Sequence, residues 1–169
     1  ESWYAGETLI SAIGQGFVLT NPFQLAVMTS IIASNGKNIE PTIIKGNRVS
    51  FKTNDKYSKE IKIIKKAMFK VVNENKGTAF NSRLQDIKFA GKTGTSQVRR
   101  ISLSERESDD FREKEQEWKN RDHALFVGYM PYDDPKYAIS VIIEHGGSGA
   151  STAAPIAKQV FNYINELEV

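Results

Sequence analysis

The residues best suited to chemistry form a short run, Lys92-Thr93-Gly94-Thr95, within an extended stretch from Phe89 to Val98. Thr93 and Thr95 are two positions apart, so on a strand they project to the same side. There their hydroxyls can hold one carboxylate together. Lys92 adds a fixed positive charge, and Gly94 permits a ligand to approach the backbone closely. The run therefore predicts a binding site for a carboxylate-bearing ligand.

Other chemistries are poorly supported by the residue types. The chain has no Cys, which excludes disulfides, thiolate nucleophiles and Cys-based zinc sites. Only two His occur, His123 and His145, and no sequence feature pairs either of them with a serine and an acid, so structural roles are expected. The run 146–149 is glycine-rich but lacks the lysine of a phosphate-binding loop, so we predict a strand-to-helix turn. No cofactor and no metal are expected.

The elements that must position the lysine run can be predicted from local pattern. Asn21 and Pro22 favour a helix start, with its end near Gly36, and this helix is apolar nearly all round, which predicts burial on most sides. The remaining elements are a short strand from Pro41 to Lys45, a helix from Ser58 to about Asn75, a hairpin of strands 123–130 and 136–144, and a last helix capped by Ser151 or Thr152. The order predicts an α+β fold, an antiparallel sheet flanked by helices.

Charge is unevenly distributed along the 169 residues. Between Lys45 and Lys76 there are ten Lys or Arg against three acids, and Lys59, Lys62, Lys66 and Lys70 lie mostly opposite an apolar stripe of Ile61, Ile64, Met68 and Val71. A solvated lysine face is expected, and a polyanion-binding module using residues 45–76 is an alternative. Between Arg99 and Asp122, seven basic and eight acidic residues predict a charged loop or insertion that projects from the body.

Several segments together carry a family resemblance. They are Trp3-Tyr4-Ala5-Gly6-Glu7-Thr8, Ile13-Gly14-Gln15-Gly16, Thr20 to Ala26, Gly77-Thr78-Ala79, the Lys92 run, His123 to Tyr129, and Ala153 to Ala157. In this order they resemble class B penicillin-binding proteins, and the Ile13 to Gly16 form is most similar to their penicillin-binding protein 2-like members. K-T-G is itself one of the motifs of penicillin-binding enzymes. The resemblance implies a partial penicillin-binding protein/serine β-lactamase-like fold, with residues 1–169 as the C-terminal portion of a transpeptidase domain.

The resemblance also implies roles for the site residues. Lys92 would supply positive potential, the hydroxyls of Thr93 and Thr95 would hold the substrate carboxylate, and Gly94 would lie against the substrate. The Thr95 backbone N–H would contribute to the oxyanion hole, which makes Lys92 and Thr95 the implied catalytic residues. The family's serine and its S-x-x-K motif are expected N-terminal to this segment, since the one such string here, Ser34-Asn35-Gly36-Lys37, lies at a predicted helix end.

Function and partners follow from the same resemblance. It implies a peptidoglycan D,D-transpeptidase that binds stem peptides and β-lactams on the periplasmic side of the cytoplasmic membrane. The chain opens at Glu1 rather than Met, so a piece of a longer protein is expected, inactive alone. A non-catalytic β-lactam-sensing receptor domain of the same fold is the other alternative. No apolar run approaches 18 residues, so no membrane contact by this segment is expected, and no nucleic acid partner either. The helix predicted from Pro22 to Ser34 is apolar nearly all round, and its expected neighbours lie partly in the missing segments, so a homodimer of the isolated chain is expected.

Overall fold

The computed structural model describes residues 2–44, 51–53, 55–98 and 117–168. The helices are α1 (Ala5–Ala12), α2 (Pro22–Ala33), α3 (Ser58–Asn73) and α4 (Ala154–Glu168), and the strands are β1 (Lys37–Ile39), β2 (Phe51–Thr53), β3 (Ala90–Ser96), β4 (His123–Met130) and β5 (Tyr137–Ile143). Residues 99–116 of the charged segment lie outside the described residues. No helix in the described part of the chain combines the length and apolar character needed to cross a membrane.

The central sheet is antiparallel, as predicted, with the strand order β3-β4-β5. The hairpin of β4 and β5 is confirmed, with Ala124 opposite Ile143 and Met130 opposite Tyr137. A separate two-stranded ribbon joins β1 to β2. The strand predicted from Pro41 to Lys45 was wrong for its described residues, because the extended pairing segment is β1, directly after the Gly36 turn.

Helices cover both faces of the central sheet. On one face α4 packs against the sheet through three fully buried rings, Phe89, Phe126 and Phe161, with the centroids of Phe89 and Phe161 5.1 Å apart. On the other face Ala33 of α2 and Met68 of α3 pack with Tyr129. Successive residues of β4 thus enter opposite layers, as the twofold side-chain alternation of a strand requires. The fold is the predicted α+β arrangement.

Helix α2 begins as predicted. The Asn21 side chain accepts a hydrogen bond from the Gln24 N–H at 2.9 Å, and Gln24 reciprocates to the Asn21 N–H, forming a capping box with Pro22 at the first helical position. The prediction that this helix is buried on most sides was wrong within the described chain. Phe23 is 58% exposed and Met28 42%, because α2 contacts the sheet along only one side.

The final helical segment starts earlier than predicted. A π-helical turn, Gly149–Ala153, precedes α4, and the cap is Ser148, whose hydroxyl accepts from the Ala150 N–H at 3.3 Å. Thr152, one of the two predicted caps, instead donates its hydroxyl proton to the Gly146 carbonyl at 2.9 Å. Residues 146–149 form the strand-to-helix turn that the sequence predicted. This turn brings the start of the helical segment against β3.

Candidate functional site

The Lys92 run lies on β3, a strand at the edge of the sheet. β3 pairs with β4 in the register Thr93 to Phe126 and Thr95 to Ala124, and its other edge has no partner strand among the described residues. Such an edge presents backbone N–H and C=O groups that can pair with an extended chain. Lys92 and Thr95 are exposed and Thr93 is half-buried. The predicted site residues are therefore together on an accessible strand edge.

The two threonine hydroxyls lie on one side of the strand, whereas the lysine ammonium is held by a backbone carbonyl. Thr93 and Thr95 lie two apart on the strand, as predicted, on the same side. The Lys92 ammonium donates to the backbone carbonyl of Thr93 at 2.6 Å, which keeps its charge close to the strand. The site thus combines one positive charge with two hydroxyls, a set suited to an anionic ligand such as a carboxylate.

A third threonine, to which no sequence pattern assigned a role, reaches the site from another element. The Thr78 hydroxyl lies 2.8 Å from the Thr93 hydroxyl. Thr78 belongs to the Gly77-Thr78-Ala79 segment after α3, where Phe80–Ser82 forms a short 3₁₀ turn. The family resemblance singled out this segment, but only the fold brings it against β3.

The turn after α1 also reaches the end of the strand. The Gln15 side-chain amide donates to the Gln97 side-chain carbonyl at 3.2 Å, and the turn is formed by Gly14 and Gly16, both with positive φ. The Ile13 to Gly16 segment is thereby placed next to the Lys92 run. Sequence separation of 82 positions hid this contact from any local pattern.

The backbone of Gly149, in the C-terminal segment, packs directly against Gly94. A Cβ added at Gly149 would lie 2.3 Å from the Gly94 carbonyl oxygen and 2.4 Å from the Leu125 carbonyl oxygen. At Gly94 itself, an added Cβ would lie 3.3 Å from the Leu125 Cβ, a much milder conflict. Packing within the fold therefore requires glycine at Gly149 more strictly than at Gly94, where the predicted reason for glycine is ligand approach.

The two histidines have structural partners in the described chain. The His145 backbone N–H donates to His123 Nδ1 at 2.9 Å, and His145 Nδ1 lies 3.1 Å from the Arg121 carbonyl oxygen. The Trp118 ring packs on His145 with centroids 4.4 Å apart. These contacts join residues 118–121 to the end of β5, in agreement with the structural roles expected for both histidines.

Ser34 occupies the helix end that its sequence context predicted. It is the C-cap of α2, and its hydroxyl donates to the Ile31 carbonyl at 3.2 Å, while Lys37 lies beyond the turn on β1. A serine activated by the lysine of an S-x-x-K motif needs both residues on one helical turn. Ser34 and Lys37 do not share a helix, so this string is not such a motif.

The pronounced electrostatic perturbations lie where α2, α3 and the sheet meet. Burial lowers the pKa of Lys65, partly offset by Asp133, and Lys65 donates to the Ala33 carbonyl at 2.8 Å. Burial also raises the pKa of Tyr129, with smaller contributions from Tyr132 and Asp133. Lys65 lies 5.6 Å from the centroid of the Tyr129 ring. Lys65 and Tyr129 therefore belong to the packed layer that α2 and α3 form on one face of the sheet.

Comparisons with known proteins agree with this architecture. The penicillin binding protein transpeptidase domain family matches residues 1–162. The chain is 34% identical to peptidoglycan D,D-transpeptidase MrdA of Haemophilus influenzae and 35% to that of Acinetobacter baumannii, each over 95% of this chain. It spans 26% and 25% of those two relatives, about a quarter of their length.

Solved structures give the same result at the level of the fold. The Penicillin-Binding Protein (PBP2) of Helicobacter pylori, in its complex with MreC, superposes with a TM-score of 0.81 at 34% identity, covering 99% of this chain and 29% of that one. The PBP2 of Pseudomonas aeruginosa superposes with a TM-score of 0.68 at 31% identity, covering 96% of this chain and 33% of that one. With the edge strand, its Lys92 run and these matches together, the chain belongs to the penicillin-binding protein transpeptidase family, in its PBP2-like class B branch.

Proposed function

We propose that this chain supplies the substrate-binding strand of a peptidoglycan D,D-transpeptidase that cross-links stem peptides and is acylated by β-lactams. The observation that carries the proposal is β3: an exposed sheet edge bearing Lys92, Thr93 and Thr95 within a family of named D,D-transpeptidases. An extended stem peptide can pair with that edge, and its terminal carboxylate can accept hydrogen bonds from the two threonine hydroxyls.

In this proposal the reaction is acyl transfer. A serine oxygen attacks the penultimate D-Ala carbonyl carbon, the peptide C–N bond breaks, and the terminal D-Ala leaves with the proton on its amine. An amine of a neighbouring stem peptide then attacks the acyl carbon and forms the new amide C–N bond. The ester bond between the acyl carbon and the serine oxygen breaks, and the serine oxygen takes up the proton that the amine gives up. The backbone N–H of Thr95 stabilises the oxyanion, a role for which one lost donor costs about 100–1000-fold in rate. Lys92 supplies positive potential beside the reacting centre.

The nucleophile is proposed to belong to a part of the transpeptidase domain that this sequence does not contain. Ser34 is the only serine in an S-x-x-K string, and its hydroxyl is committed to a helix-end carbonyl. Residues 1–169 are accordingly proposed as the C-terminal portion of the domain, acting on the periplasmic side of the cytoplasmic membrane. The 169-residue chain alone should not form a penicillin adduct.

Intact mass spectrometry after incubation with benzylpenicillin tests the proposal in two arms. The full-length protein that contains this sequence should gain one stoichiometric adduct that survives denaturation, whereas the 169-residue chain should gain none. Thr93→Val combined with Thr95→Val should slow acylation of the full-length protein by at least about 100-fold, since two hydrogen bonds to a charged group, worth about 1.5–3 kcal/mol each, are lost. A full-length protein that never acquires the adduct, or an adduct mapped to Ser34, contradicts the proposal.

A further inference from the structure

The segment that carries Thr78 is fixed tightly to the end of α3. The Ala79 N–H donates to the Val71 carbonyl at 3.0 Å and the Gly77 N–H to the Glu74 carbonyl at 2.8 Å. A Cβ at Gly77 would lie 2.2 Å from the Val71 carbonyl oxygen, so only glycine permits this approach. Ala79 is almost fully buried. Thr78 is thus an exposed side chain on a backbone with little freedom to move.

The Thr78 and Thr93 hydroxyls are 2.8 Å apart, and each hydroxyl has a single proton. One of the two must donate to the other. If Thr93 donated to Thr78, its proton would be unavailable to a ligand. A Thr93 hydroxyl that donates to a carboxylate must therefore accept the proton of Thr78. Accepting a hydrogen bond also polarises the Thr93 hydroxyl and strengthens its own donation.

We propose that Thr78 is a positioning residue for carboxylate recognition: its hydroxyl donates to Thr93 and so directs the Thr93 proton to the ligand carboxylate. This inference rests on the proposed function, because it requires that Thr93 binds the carboxylate of a stem peptide or β-lactam. Thr78 acts through Thr93 and does not itself touch the ligand. Its effect should accordingly depend on whether the ligand carries a negative charge at that position.

The test compares acylation of the full-length protein by benzylpenicillin and by its methyl ester, which lacks the carboxylate charge. Thr78→Val keeps the side-chain shape and removes the hydroxyl, while Thr78→Ser keeps the hydroxyl. We expect Thr78→Val to lower the second-order acylation rate for benzylpenicillin by about 5- to 10-fold, as for one lost hydrogen bond. The rate for the ester should stay within about twofold, so the acid-to-ester ratio falls. Thr78→Ser should restore the ratio.

Three controls separate this role from a merely structural one. Thr42→Val changes an exposed threonine in the loop after β1 and should leave the ratio unchanged. Thr78→Ala, which also loses the methyl group, should give the same fall in ratio as Thr78→Val, and both should melt close to the unmodified protein. In a Thr93→Val background, Thr78→Val should add no further loss for benzylpenicillin, because its effect passes through the Thr93 hydroxyl.

The outcomes are distinguishable. A ratio that falls in Thr78→Val and Thr78→Ala, and returns in Thr78→Ser, supports the positioning role. Equal losses for acid and ester, or additive losses in the double variant, overturn it while leaving the proposed function intact. If the unmodified full-length protein is acylated by neither compound, the proposed function fails, and the role of Thr78 fails with it.

Discussion

Gly149 offers a sharp test of how the fold supports the site strand. Its backbone lies against β3 at Gly94 and against β4 at Leu125, and it is not in the left-handed region, so alanine there would suffer only from contact with its neighbours. The three nearest atoms to an added Cβ are all backbone atoms, at 2.3, 2.4 and 2.9 Å. No side-chain rotation can relieve contacts of this kind.

The magnitude follows from those distances. The two carbonyl oxygens are about 1 Å closer than the roughly 3.3 Å at which carbon and oxygen ordinarily meet. Forcing extra volume into a packed site costs about 1–3 kcal/mol, occasionally more, and rigid backbone on three sides puts Gly149→Ala at about 3 kcal/mol. For a domain of this size that corresponds to a fall in Tm of about 6–12 °C. Because two of the three strained atoms belong to Gly94, in the proposed binding strand, benzylpenicillin acylation of the full-length protein should fall as well.

Thermal unfolding of the protein with Gly149→Ala gives the measurement, and Gly6→Ala is the matched control. An added Cβ at Gly6 meets nothing within 4 Å, and Gly6 lies on α1, where alanine is favoured over glycine by about 0.5–1 kcal/mol. Gly6→Ala should therefore keep or slightly raise Tm. If Gly149→Ala melts within about 2 °C of the unmodified protein, the close approach of the helical turn to β3 is not as described.

Three further predictions concern the stability of the sheet and the self-association of the chain. Asn73→Ala removes side-chain hydrogen bonds from α3 to its own backbone and to the Phe89 carbonyl. It should lower the free energy of unfolding, measured by urea titration, by about 1–3 kcal/mol. The control Asn75→Ala, at an exposed position, should change that free energy by less than about 0.5 kcal/mol. Burial raises the pKa of Tyr129, so the unfolded state ionises first and stability should fall as the pH rises above about 10, by at most about 1.4 kcal/mol per pH unit; Tyr129→Phe should lack that part of the fall. Residues 8–36 contain no charged side chain and include many exposed apolar ones, so the 169-residue chain alone should self-associate; a constant one-chain mass in light scattering over a tenfold concentration range would contradict this.

The sheet could be predicted from local pattern because its strands are marked at both ends. β4 begins at His123 and ends at Met130, as expected, since Pro131 and the Asp133-Asp134-Pro135 run interrupt any continuation. Its buried and half-buried residues alternate along the first half of the strand. The start of α2 was equally predictable, because the Asn21 cap and Pro22 act within one turn of the chain.

The errors arose where tertiary contacts outweigh local preference. Ser151 and Thr152 both suit a helix cap, but the close approach of Gly149 to the sheet starts the helical segment earlier and leaves Ser148 as the cap. On α3, Ile64 was placed on the apolar stripe, yet it is 42% exposed, and Val72 is buried instead. Lys65 lies between the buried and the exposed face of α3, and its ammonium contacts the C-terminal end of α2. Periodicity alone cannot show that a lysine will take such a position.

The candidate site likewise combines residues that local sequence predicts with residues that only tertiary contacts bring in. The sequence contains the strand residues Lys92, Thr93 and Thr95 in one run, and their spacing is enough to place both hydroxyls on one side. The residues that support these side chains come from distant positions in the sequence. Thr78 contacts Thr93 in the middle of β3, and Gly149 packs against Gly94 behind it. A hydroxyl aimed to within a hydrogen bond of a carboxylate needs such support, since an unsupported edge strand can twist or shift. The residues proposed to bind the carboxylate can thus be predicted from one strand, whereas those proposed to orient them require the fold.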